Sequence, residues 1–230
     1  MFASFDFDVI RRSLPYLFLD GMTFTLTLTG LAALGGLIFG TLIALMRLSG
    51  HKLLGRIAGL YVDLMRSLPL VLVIFWFYFL VPYIGQWVTG ASRPVRVGAF
   101  TSSLVTFILF EAAYFSEIMR AGIQSISKGQ PAAANALGLT YAQTMRYVVL
   151  PQAFRNMLPV LLTQTIVLFQ DTSLVYVLSI PDFLGAASKV AQRDGRLVEM
   201  YLFAAAIYFI ISCTASYGVR RLQTRIAYVH

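Results

Sequence analysis

Charge is what this chain has least of. Only 12% of its 230 residues are charged, about half the roughly 25% typical of soluble proteins, and that excludes an ordinary soluble globule. Cysteine is nearly absent too. Cys213 stands alone, so no disulfide framework and no C-x-x-C redox or metal motif is possible within one chain. It reads as a small hydrophobe inside a helix. The two histidines, His51 and His230, leave no metal-ligand spacing, and no nucleophile–base pair is evident, which argues against an intramembrane enzyme. No cofactor is expected. A G-x-x-x-x-G-K-[ST] phosphate loop occurs nowhere, so the chain does not bind ATP in that fashion. The first apolar stretch is too long for a signal-peptide core, and Asp6 and Asp8 stand where a positive leader belongs. The N-terminus is therefore expected to be retained.

What the chain has instead is apolar surface: 58% hydrophobic residues and a mean hydropathy of +0.76. It comes in blocks. Gly21–Met46 and Ser67–Ser92 are each 26 residues without a charge, and Met200–Val219 is another 20. A membrane span needs about 20 apolar residues, which rise about 30 Å as a helix. The expected fold class is an all-α integral membrane protein, one domain over residues 1–230, with five transmembrane helices. Their expected positions are Gly21–Met46, Val62–Val81, Gly98–Met119, Ala153–Ile180 and Glu199–Arg221. The third carries Glu111 and Glu117; the fourth carries Asp171, with Pro159 near its start.

The net charge of +8 does not point to nucleic acid, because basic residues that follow apolar spans set topology. An odd number of spans puts the two ends on opposite sides. One side receives Arg47, Lys52, Arg56, Arg66, Arg120, Lys128, Arg146, Arg155, Arg220, Arg221 and Arg225. The other receives Arg11, Arg12, Arg93, Arg96, Lys189, Arg193 and Arg196, along with most of the acids. Cytoplasmic loops collect Lys and Arg. The N-terminus is expected outside and the C-terminus in the cytoplasm.

That sidedness makes 122–150 a long cytoplasmic loop with helical signals. Pro131 suits a first helical position and opens the alanine-rich run Pro131–Leu137; Gly138 ends it in the way glycine terminates helices. Thr140 and Gln143 have capping-box spacing and start a second short helix, Tyr141–Val149, which Pro151 is expected to stop. The first helix is small-sided and almost uncharged, a shape suited to another protein's groove. A surface-lying or re-entrant helix fits these residues equally well.

The spacing of that loop carries a resemblance. Ala132-Ala133-Ala134-Asn135-Ala136-Leu137-Gly138, nine residues, then Val148-Val149-Leu150-Pro151 resembles the "EAA" signature of ABC-importer permeases. Ala132 departs from it, standing where that family usually has glutamate. Arg66-Ser67-Leu68-Pro69-Leu70, Glu117–Ser125 with Gly129-Gln130, Leu150–Arg155 and Gln170-Asp171-Thr172-Ser173-Leu174 resemble the polar amino-acid (histidine/glutamine/glutamate) branch. Phe169–Ser179 and Val71–Pro82 look most like a glutamate/aspartate permease subunit.

The resemblance implies a type I ABC-importer permease fold in the bacterial inner membrane. It also implies partners: a dimer of ATP-binding subunits, a second permease subunit (identical or paralogous), an extracytoplasmic amino-acid-binding protein and membrane lipid. ATPase docking is then expected at Ala132, Ala133, Ala134, Gly138, Leu150 and Pro151.

A carboxylate at the bilayer centre costs at least about 2.5–3.5 kcal/mol, so such residues face a cavity or pair with another group. Glu111, Gln170, Asp171, Thr172 and Ser173 are accordingly expected to line a polar substrate path near the midplane. The alternative for Asp171 is structural, capping a helix break at Thr172-Ser173 or pairing with an arginine. Glu117 and Arg120 are spaced to pair along one helical face. Gly36 and Gly40 form a G-x-x-x-G suited to close helix packing, and Trp76 and Trp87 read as interface anchors or packing residues. The competing function is an ion-coupled secondary transporter working without an ATPase, but such folds carry matching halves, and five unequal spans do not.

Overall fold

The computed structural model describes residues 5–226, which are helical apart from short turns, with no strand among them. Five helical stretches are long and apolar enough to cross a membrane: Phe7–Leu48, Leu70–Thr89, Ala99–Gln124, Tyr141–Leu178 and Leu197–Ile226. The expected number holds; several boundaries do not, and proline is the usual reason.

The first span starts well before Gly21. Asp6 caps α1 (Phe7–Pro15), its Oδ1 accepting from the N–H groups of Asp8 and Val9 at 2.9 and 3.3 Å. A π-helical segment, Tyr16–Met22, carries the chain past Pro15 into α2 (Thr23–Leu48). The second expected span, Val62–Val81, is broken. Pro69 is extended (φ −61°, ψ 128°) and disfavours helix at the residue before it. It separates α3 (Lys52–Ser67) from α4 (Leu70–Phe75), which continues through a π segment, Trp76–Leu80, into α5 (Val81–Thr89). The third span is α6 (Ala99–Gln124).

Pro151 does not stop the short helix that begins at Tyr141. After α7 (Gly129–Ala136) come α8 (Tyr141–Thr144), a π segment at Met145–Val149, α9 (Leu150–Asp171) and a 3₁₀ turn, Thr172–Leu178, without a break. The π segments explain how Pro82 and Pro151 are tolerated. Val81 N–H bonds back to Trp76 O, and Leu150 N–H to Met145 O, each five residues away. The widened turn keeps the following proline ring from the carbonyl it would strike in a regular helix. The chain ends in α10 (Phe183–Asp194) and α11 (Leu197–Ile226).

The residues fall into two compact units, and α2, α6, α9 and α11 contribute to both. One comprises Met1–Leu34, Leu68–Ile108 and Ile166–Ala215. Its core gathers around α10, with Val9, Leu17, Met22, Phe169, Phe183, Ala187, Val190 and Met200 all buried. Small residues set this approach. A Cβ on Gly21 would stand 3.0 Å from both Ala186 Cβ and Phe183 Cα, and one on Gly185 would stand 2.2 Å from Ile180 O. Asp182, fully buried, caps α10 by accepting from Leu184 N–H (3.1 Å) and Gly185 N–H (2.9 Å). Ion pairs Arg12–Asp194 (3.0 Å) and Arg196–Glu199 (3.3 Å) tie down the polar end of this unit.

The other unit comprises Gly35–Ser67, Leu109–Thr165 and Ser216–His230. The G-x-x-x-G reading is seen here as close packing: a Cβ on Gly36 would meet Glu111 Cβ, and one on Gly40 would meet Phe115 Cβ, both at 2.9 Å. Glu117 pairs with Arg120 as the spacing predicted, and also with Arg47 of α2 at 2.5 Å. Tyr61 O–H donates to Leu109 O (2.5 Å), and the Arg66 guanidinium lies over the Tyr114 ring, 5.5 Å from its centroid.

Candidate translocation and docking sites

The polar residues of α9 define the first candidate site. Asn156, Thr163 and Gln170 are exposed and spaced seven apart, so they share one face of an otherwise apolar helix. Gln164 and Asp171 follow one residue later, about 100° further round the helix, and are half-buried. Polar side chains on a spanning helix belong against protein or a wet cavity rather than lipid. Gln170 Nε2 donates to Ser212 Oγ of α11 at 3.0 Å.

Asp171 ends α9 but makes no capping hydrogen bond and no ion pair among the described residues. Thr172 satisfies itself locally, its Oγ1 donating to Phe169 O at 2.7 Å. Ser173 is half-buried in the same 3₁₀ turn.

Glu111 belongs to the second unit. It is fully buried, and both carboxylate oxygens accept from Gln164 Nε2, at 3.3 and 3.2 Å. Gln164, Asn156 and Thr163 were missed among the sequence candidates. The heptad spacing of polar residues in α9 was the signal that could have found them; nothing in the sequence linked Gln164 to a carboxylate 53 positions away.

The second candidate site is the loop 122–150. Helix α7 forms two residues earlier than expected, at Gly129, and Ala132, Ala133 and Ala136 face solvent while Ala134 is buried. Leu137 follows, 81% exposed. Gly138 has φ +81°, a left-handed conformation that glycine adopts without penalty, and it turns the chain into α8. The capping box is present, with Thr140 Oγ1 accepting from Gln143 N–H and Gln143 Oε1 accepting from Thr140 N–H at 2.9 Å. Leu150 and Pro151 are exposed. Thr144 Oγ1 donates to Asn135 Oδ1 (3.4 Å), and Gln152 Nε2 to Gln130 Oε1 (3.4 Å), so the loop is held against the start of α9. Beside it, a cavity of about 320 Å³ lies between α6 and α9, lined by Glu117, Ala121, Ser125, Asn156, Met157 and Val160 among others.

Five apolar candidate spans with a polar helix face and a structured, solvent-exposed loop suit a transport permease, and the family follows from comparison. The chain belongs to the family described as the binding-protein-dependent transport system inner membrane component, which matches residues 36–227.

The chain is 54% identical over 223 residues to the glutamate/aspartate import permease protein GltK of Escherichia coli O6:H1, covering 97% of this chain and 99% of that one. It is 33% identical to the glutamine transport system permease protein GlnP of Escherichia coli K12, covering 96% and 97%. Among solved structures it is similar to an amino acid ABC transporter crystallised with histidines, with a TM-score of 0.86, 34% identity and coverage of 96% and 98%. The chain is thus a non-catalytic permease subunit of an inner-membrane ABC importer, and ATP hydrolysis resides on a separate chain. Nothing found here supports an ion-coupled secondary transporter.

Proposed function

We propose that the chain is one of two permease subunits that form the passage for glutamate and aspartate. The observation that carries the substrate is the 54% identity to GltK along nearly the whole chain. In this reading an extracytoplasmic amino-acid-binding protein delivers substrate and a pair of ATP-binding subunits docks on loop 122–150. Gln170 and Asp171 at the end of α9, with Thr172 and Ser173 in the 3₁₀ turn that follows, line the path; Glu111 is a further path residue. The acidic wall suits the substrate ammonium, and the cation for its side-chain carboxylate comes from the second permease subunit.

The test is uptake of labelled glutamate into vesicles holding the assembled importer. Unlabelled aspartate competes and glutamine or histidine does not; the opposite ranking removes the acidic substrate. In the same assay Asp171→Asn, which keeps the shape and removes the charge, lowers uptake per assembled complex by about tenfold or more, as expected for one lost charged hydrogen bond of about 1.5–3 kcal/mol. Unaltered uptake and selectivity would take Asp171 off the path.

Sidedness is proposed from the basic-residue asymmetry, with the N-terminus outside and the C-terminus cytoplasmic. In a Cys213→Ser background, Gln130→Cys is labelled by an impermeant maleimide from the cytoplasmic side only. Gln192→Cys, exposed near the end of α10, is labelled only from outside. The reversed pattern would overturn both the topology and the docking assignment.

A further inference from the structure

Between α5 and α6 the chain folds back on itself instead of crossing directly to the next span. Gly90, in the left-handed conformation at φ +67°, ends α5, with Ala91 N–H bonded to Gln86 O at 3.2 Å. The chain then returns along the helix: Val95 N–H donates to Pro82 O at 3.1 Å. A Cβ on Gly85 would stand 3.1 Å from the Val95 side chain, tighter than an ordinary contact, so the returning chain runs close to the helix there. The fold-back brings Arg93 and Arg96, which flank Val95, beside α5. Both are exposed, and neither has an ion-pair partner among the described residues. No Asp or Glu occurs between Asp63 and Glu111 to supply one locally.

Another face of α5, at the same end of the helix, is apolar and open, with Ile84 46%, Trp87 84% and Val88 71% exposed. The turn joins two candidate spans and so lies at a membrane boundary. Indole rings prefer that level, and lipid phosphates lie there. A guanidinium binds a phosphate through paired donors and is more weakly hydrated than an ammonium. Two of them beside an apolar helix face match a ligand that is anionic at one end and hydrocarbon at the other.

We propose that the turn between α5 and α6 binds an anionic phospholipid, its headgroup at Arg93 and Arg96 and its chains along Ile84, Trp87 and Val88. The inference is independent of the transported substrate. Trp76 and Trp87 are the only tryptophans, so Trp76→Phe leaves Trp87 as a single reporter inside the site. The full chain carrying that change is placed in phosphatidylcholine vesicles containing a minor share of chain-brominated phosphatidylglycerol or, separately, chain-brominated phosphatidylcholine.

The expected result is stronger quenching of Trp87 by the phosphatidylglycerol. Its preference falls about fivefold for each guanidinium lost in Arg93→Gln and Arg96→Gln. Equal quenching by the two lipids overturns the proposal, as does a preference that survives the double variant. Quenching by neither lipid also overturns it, because α5 is then covered by protein, such as a second permease subunit.

Discussion

Leu137→Asp strips the ATP-binding subunits from the purified importer and reduces ATP-driven uptake at least a hundredfold, while the permease still inserts and stays folded. The side chain is 81% exposed at the end of α7, so its replacement touches no core, and surface substitutions of that kind change stability by about 0.5 kcal/mol or less. In a docked interface the same change acts twice. It withdraws a buried leucine, worth about 1.5–3 kcal/mol, and leaves a carboxylate without a partner in an apolar contact. Together these exceed the roughly 2.7 kcal/mol that a hundredfold loss of affinity requires.

Ala132 matters to this argument. Its methyl group offers no charged contact at the position where the resembled signature has glutamate, so the docking proposed for this loop leans on shape: Ala132, Ala133, Ala136 and Leu137, with Gly138 fixing where the helix ends. The measurement is recovery of the ATP-binding subunits with tagged permease, alongside uptake per permease inserted. Full recovery and full uptake would remove loop 122–150 from the docking assignment.

The first, second and fifth spans were legible because uncharged runs of 20 residues or more admit no other reading, and that signal survives errors of several residues at each end. The third and fourth, interrupted by Glu111, Glu117 and Asp171, rested on the apolar residues around those charges. The boundaries were not legible where a proline's effect is set by its neighbours. Pro69 breaks the helix; Pro82 and Pro151 are carried through by π turns that nothing in composition announces.

The helix α10 was invisible for a different reason. Its twelve residues include Lys189, Arg193 and Asp194, so the segment has no long apolar run, yet Gly185, Ala186, Ala187 and Ala191 let it pack closely on Tyr16–Met22, with seven of the twelve residues buried. Small residues pack closely without raising hydropathy. At the polar site, Asp171 could be found because a lone charge in an apolar run stands out. The Gln164–Glu111 contact could not, because it depends on how α6 and α9 pair.

The seat of α10 weakens as the pH rises, and Asp182 is the cause. Burial pushes its carboxyl up to about 7, against the opposing pull of the Gly185 and Leu184 N–H groups that favour the charged form. Thr25 and Tyr208 are the polar side chains beside it; Thr25 Oγ1 is engaged by Phe183 N–H at 3.0 Å. Neither is a cation that would stabilise the carboxylate. A carboxyl raised above its ordinary value near 3.8 favours the seated state fully below that value. The advantage is lost progressively as the pH climbs, because the released segment ionises freely while the seated one resists, and the loss levels off above about pH 7.

Between pH 5 and pH 8 this amounts to about 2–3 kcal/mol, enough to raise opening of α10 by roughly two orders of magnitude. Asp182→Asn keeps an oxygen for capping, since asparagine caps helices about as well as aspartate, and it cannot ionise. Hydrogen exchange of the 183–194 amides, corrected for the intrinsic pH dependence of exchange, therefore shows protection falling with pH in the parent and staying level in Asp182→Asn. Asp182→Ala loses protection at every pH, because two buried N–H groups lose their acceptor at about 1–3 kcal/mol each. Equal pH profiles in the parent and Asp182→Asn would show that the carboxyl at the start of α10 does not titrate in this range.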